Sequence, residues 1–224
     1  MGELSKKIGD DGEKLIRNFL AMIGWERALE NISIACMRPQ KHATENQIKG
    51  RQTHGIDLLF PQKKQLEDFR AEHVIMSVKF SQKAYPKSPS STFKGYITDL
   101  AHTIECYKNS DAHRESLRGL TDTKEVNSES FVGVLFWLTS EKSSDQDIIS
   151  KISNANIPSS LKFETIQVVD NNRAQFIYNS LAAAKRIFPT DNISFNYTRY
   201  SDNFTDRNIP THGLSMPSEF FGIR

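Results

Sequence analysis

The sequence predicts an α/β fold with a mixed central sheet flanked by helices. Three observations predict it. Apolar residues recur at helical spacing near the N-terminus, short strand-like runs alternate with helical segments along the chain, and residues 131–138 are apolar throughout. The 224 residues, 38% hydrophobic and 25% charged, suit one domain over 1–200 with a C-terminal tail or extension over 201–224.

The first element is a helix over 5–23. Ile8, Leu15, Ile16, Phe19, Leu20 and Ile23 share one side, Gly9 and Gly12 permit close approach, and Gly24 ends it. Residues 31–37 alternate as a strand, and a polar loop with Pro39 and Gly50 follows. Two further strands, 54–60 and 73–80, flank a charged connector over 62–72. The Ser-, Pro- and Lys-rich stretch 81–91 reads as a loop. A helix over 92–108 gathers Phe93, Tyr96, Ile97, Leu100, Ala101 and Ile104 on one stripe. After a polar stretch, 109–129, the strand 131–138 is apolar on both faces and therefore belongs at the centre of the sheet. A short helix (145–153), a strand (163–169), a helix (172–187) and a strand (192–198) complete the order. The tail after Asp202, with two prolines and Phe220-Phe221, reads either as a segment that packs elsewhere or as the stub of a longer chain.

Net charge is only +2, but it is unevenly spread. Residues 31–56 carry Arg38, Lys41, Lys49 and Arg51 against Glu45, a balance of +3; residues 73–98 carry Lys79, Lys83, Lys87 and Lys94 with no acid, a balance of +4. The remainder is therefore at −5, and the two basic segments flank residues 57–72. Such clustering is the footprint of a polyanion contact.

Several classes are set aside. No apolar run reaches membrane-spanning length, and the N-terminus lacks a signal peptide's apolar stretch, so a cytoplasmic location is expected. Cys36 and Cys106 lie on different elements without metal-ligand spacing and read as reduced, core-filling thiols. The six histidines, His42, His54, His73, His102, His113 and His212, include no pair at zinc spacing; His54 reads as structural. No phosphate-cradling glycine loop is present.

One constellation carries chemistry. Asp57 sits inside an apolar strand, where an unpaired carboxylate is costly and needs a reason. Lys79 lies near the end of the next strand, sharing a face with Ser77. Glu13 falls roughly twenty degrees from Leu20 on the helical wheel, at the edge of the buried stripe. If the two strands pair as a hairpin, these three groups meet. Carboxylates at one point suit a hard Mg²⁺ (or Mn²⁺) ion, and a neighbouring ammonium suits developing negative charge on phosphate.

Glu13 on the first helix, Gly55-Ile56-Asp57 on one strand and Ser77-Val78-Lys79 on the next resemble the PD-(D/E)XK nuclease superfamily. The element order over 5–138 is similar to that superfamily's restriction-endonuclease-like α-β-β-β-α-β core. The resemblance implies Asp57 and Glu13 as metal ligands, the Val78 carbonyl as a further ligand, and Ser77 acting through a water. It implies Lys79 as the catalytic lysine beside Asp57 and Glu13. Where the family has an acid, this chain has Ser77; Glu13 compensates, Asp99 takes over, or the site is weakened.

Lys49, Arg51, Lys83, Lys87 and Lys94 are candidate phosphate contacts, and Tyr85 a candidate for stacking on a base. The leading expectation is a metal-dependent DNA endonuclease without strong sequence preference. It would act as a homodimer or beside a partner protein in phage defence or restriction. The alternative is a catalytically weak DNA-binding scaffold, and an RNA substrate uses the same site.

Overall fold

The computed structural model describes residues 2–43, 48–67, 69–121, 126–141, 147–188, 193–197 and 211–221. Positions 145–146 of the expected short helix, 192 and 198 of the expected last strand, and the expected tail apart from 211–221 lie outside them.

Helix α1 (Gly2–Met22) is followed by strands β1 (Leu29–Ala35), β2 (Thr53–Lys63) and β3 (Arg70–Ser81). Helices α2 (Ser90–Tyr107) and α3 (Asp111–Thr121) lead to β4 (Ser128–Thr139). Then come α4 (Ile148–Ile152), β5 (Thr165–Val169), α5 (Asn171–Ile187), β6 (Phe195–Tyr197) and β7 (Thr211–Gly213). The main sheet runs in the order β1-β2-β3-β4-β5, with β1, β2 and β3 antiparallel and β3, β4 and β5 parallel. This mixed five-stranded sheet between helices is the fold class read from the sequence. The expected last strand instead pairs with β7 in a separate two-stranded ribbon.

Each face of the sheet carries its own core. On one side α1 sets Ile16, Phe19, Leu20 and Ile23 against Leu58, Val74, Met76, Val134 and Phe136. On the other, α2 sets Phe93, Ile97, Leu100 and Ile104 against Ile75, Leu135 and Trp137. Strand β4, buried along nearly its whole length, lies between β3 and β5 because both of its faces are apolar. Leu15, placed on the α1 stripe by spacing, is about half exposed.

Two glycines position α1. Gly24 takes φ +82°, closed to most side chains, and the 211–221 segment crosses directly over it. There the Met216 amide donates to the Ile23 carbonyl (2.8 Å), and Trp25 Nε1 donates to the Met216 carbonyl (2.9 Å). Trp25 stacks on Phe60 and meets the edge of Phe221. Gly12 lets the helix touch β3: a Cβ there would sit 2.5 Å from Phe80 Cβ. Gly12→Ala is therefore expected to lift α1 off β3 and cost about 1–3 kcal/mol in urea unfolding, as overpacked contacts do. An unchanged midpoint would contradict this packing.

Helix α3 is a departure from the sequence reading, which took 109–129 as polar connection. Its N-terminus is capped by Ser110, whose hydroxyl accepts from the His113 amide (3.1 Å). Its polar and apolar residues segregate to opposite sides, but the segment is short and polar overall, which is why it reads as a connection. Among the described residues no helix is long and apolar enough to cross a membrane.

Candidate active site

Strands β2 and β3 pair from Lys63↔Ala71 to Leu58↔Met76 and then separate. Beyond that point β2 pairs with β1 alone and β3 with β4 alone, which leaves a fork lined by the backbone edges of residues 53–57 and 77–81. The expected hairpin forms, and its pairing ends at Leu58↔Met76, just before Asp57.

Asp57 stands at this fork, and its Oδ2 accepts a hydrogen bond from the Val78 amide (2.6 Å). A strand residue projects its N–H and C=O to the same side, so the Val78 carbonyl also faces the fork. The β1–β2 register skips the pair opposite Asp57, running from Glu30↔Leu58 to Ile32↔Ile56. The skipped residue, Asn31, has φ +51°, a left-handed conformation that asparagine tolerates.

Glu13 approaches from α1. Burial and the neighbouring carboxylates of Asp57 and then Asp10 push its pKa up, while a hydrogen bond from the Asn31 side chain and the charge of Arg17 act the other way. Asn31 thus interrupts the β1–β2 pairing opposite Asp57 and hydrogen-bonds Glu13. Sequence reasoning placed it as an ordinary first strand residue; its only signal was an asparagine where a strand former is expected.

Lys79 is half-buried, with its Nζ 5.7 Å from the centre of the Tyr96 ring. Tyr96 is itself braced edge-on by Trp137. Among the described residues no ion pair joins Lys79 to Asp57 or Glu13. The structure thus places Glu13 within reach of the Asp57 charge, whereas Lys79 lies over Tyr96 of α2. Ser77 is half-buried on the same face of β3 as Lys79.

Asp99, the other acid considered for the Ser77 position, is paired with Arg51. Arg51 also donates through Nε to the Thr53 carbonyl (2.9 Å), so its guanidinium is engaged within the protein rather than displayed on a rim. Lys49, Lys83, Lys87 and Lys94 are all exposed.

Tyr85 corrects the sequence reading. It is 5% exposed, with its ring edge-on to Trp137, and offers no face for stacking. Its hydroxyl donates to the Trp137 carbonyl (2.7 Å) and accepts from the Asn171 amide (3.1 Å). Thr139 Oγ1 donates to the Lys83 carbonyl (2.7 Å). Together these bonds pin the basic 82–89 loop to the end of β4 and the start of α5. The loop is therefore held at the carboxyl ends of the parallel strands, where α/β sheets bind ligands.

Two half-buried carboxylates that feel each other's charge are costly when both are ionised, and oxygen donors in that setting suit a hard divalent ion. Asp57, Glu13 and the Val78 carbonyl offer such a donor set; the chain's histidines and cysteines are absent from it.

A family model described as the GAPS4 protein PD-(D/E)XK nuclease domain matches residues 1–173. Neither the curated proteins nor the solved structures give a match.

Proposed function

The chain belongs to the GAPS4 PD-(D/E)XK nuclease domain family, and from that premise we propose that it is a Mg²⁺- or Mn²⁺-dependent DNA endonuclease. The observation that carries this reading is the β2–β3 fork. There a carboxylate anchored by a backbone amide lies beside a second carboxylate whose protonation it already disturbs.

Asp57 and Glu13 would hold the ion, with the Val78 carbonyl as a further ligand and Ser77 acting through a water. An ion held there would supply activation of water and neutralisation of phosphate charge. Asn31 keeps Glu13 turned towards Asp57. Lys79 leaves Tyr96 when substrate arrives, stabilises charge on the phosphate oxygens and orients the attacking water. Water adds to phosphorus, the P–O bond to the leaving nucleotide breaks, and a proton passes to the leaving oxygen. Lys49, Lys83, Lys87 and Lys94 lie along the phosphate backbone and contribute affinity without sequence preference. Anti-phage defence, with a second copy or a partner protein, is the setting this reading favours.

Ser77 favours one competing reading, a DNA-binding scaffold with a weakened site. Cleavage assays on duplex DNA, single-stranded DNA and RNA with Mg²⁺ or Mn²⁺ separate the readings. Metal-dependent scission of duplex DNA is the expected outcome. Tight duplex binding without scission, with either ion and with any co-purifying partner, sinks the enzyme reading. Preferential scission of RNA overturns the DNA assignment.

A further inference from the structure

We propose that Cys36, His42, His54 and Cys106 form a closed tetrahedral site for a structural zinc ion. Cys36 follows β1, His42 lies in the loop that leaves it, His54 is in β2, and Cys106 is in the last turn of α2. All four are buried, and one donor atom from each lies within 4.8 Å of the others.

The spacing is that of a coordination shell. Zinc bonds of about 2.0–2.1 Å to nitrogen and about 2.3 Å to sulfur put tetrahedral donors about 3.3 Å apart for N–N, about 3.6 Å for N–S and about 3.8 Å for S–S. His42 Nδ1 lies 3.3 Å from His54 Nε2, 3.4 Å from Cys36 Sγ and 3.5 Å from Cys106 Sγ. A ring nitrogen carries either one proton or one in-plane lone pair, so hydrogen bonding alone does not satisfy three partners around it. A cation at the common centre satisfies all of them.

The surroundings fix both imidazoles for metal binding. His42 turns its other nitrogen, Nε2, to the Glu105 carboxylate (3.2 Å). His54 turns Nδ1 to Thr103 Oγ1 (3.4 Å), whose own proton is given to the Asp99 carbonyl (2.8 Å), leaving the oxygen as acceptor. These are the outer hydrogen bonds that orient histidine ligands and set their tautomers. The Met37 amide donates to Cys106 Sγ (3.3 Å), as suits a thiolate. With four protein donors and burial on all sides no coordination position is open, which makes the site structural rather than catalytic. Another cluster, His73, His113 and Glu129, offers three donors and is already closed by contacts of both imidazoles with Glu129.

Bound zinc ties the exit of β1, the loop around His42, β2 and α2 together. It so holds the loop that carries Lys49 and brings the chain to Asp57.

The test is metal content of the full chain purified from zinc-supplemented medium, read by elemental analysis and native mass spectrometry. One zinc per chain is expected, and Co²⁺ exchanged into the protein shows the visible bands of a tetrahedral thiolate site. Cys36→Ser and Cys106→Ser each lose the metal, whereas Asp57→Asn keeps it. Where the cysteine variants do not fold, Glu105→Gln and Thr103→Ala keep all four ligands and bind zinc about 10–100-fold more weakly. The proposal is overturned by a metal-free protein whose two thiols titrate freely without Co²⁺ bands. It is equally overturned by a Cys36–Cys106 disulfide in the natively purified chain, or by zinc that leaves with Asp57→Asn rather than with the cysteines.

Discussion

Asp57→Asn is expected to lower DNA cleavage by more than about 100-fold while leaving the protein folded. The substitution preserves shape and keeps an oxygen to accept the Val78 amide, a bond that anchors the side chain. It removes the charge that the divalent ion needs. Asp57 is also a neighbour that raises the Glu13 pKa, so its neutralisation lets Glu13 move back towards the ordinary carboxylate range. Burial, the larger cause, remains and keeps Glu13 somewhat high. Thermal stability is therefore expected to hold or rise slightly, since a like-charge repulsion is relieved. Loss of activity with an unchanged unfolding midpoint is what separates a functional carboxylate from a structural one. A variant that cuts at the wild-type rate would remove Asp57 from the chemistry.

Lys79→Ala is expected to cost about 100-fold in kcat with little change in KM, because the ammonium acts on charge that develops during reaction. In the free protein Lys79 rests over Tyr96 and, among the described residues, forms no ion pair with Asp57 or Glu13. Removing it therefore breaks a cation–π contact worth about 0.5–1 kcal/mol and no ion pair, and the fold survives. Lys87→Ala, on the exposed loop after β3, is the contrast. It should weaken DNA binding and lower the salt dependence by about one ion while leaving kcat alone. If Lys79→Ala instead behaves like Lys87→Ala, Lys79 is one more phosphate contact and the fork lacks its lysine.

The strongly periodic elements were legible in the sequence. Ile16, Phe19, Leu20 and Ile23 repeat at helical spacing because α1 buries one stripe, and residues 131–138 are apolar throughout because β4 is covered on both faces. Asp57 stood out for the same reason in reverse, as a charge where the pattern asks for an apolar residue. What stayed hidden depends on tertiary placement. Helix α3 is amphipathic but short and polar overall, so its period lay inside a stretch whose composition reads as a connection. Tyr85 looked like a loop residue, but the loop folds back and buries it against Trp137. Asn31 acts through a left-handed backbone angle that composition does not reveal. The Cys36, His42, His54 and Cys106 cluster escaped because sequence rules for metal sites look for ligands a few residues apart. Here α2 returns Cys106 to the start of the sheet from a distant part of the chain.

The most direct measurement is anomalous diffraction from crystals of the chain soaked in Mn²⁺. The expected map has a manganese peak in the β2–β3 fork, coordinated by Asp57, Glu13 and the Val78 carbonyl. A map with manganese elsewhere, or with none at the fork while the same protein cleaves DNA in that ion, contradicts the assignment of the active site.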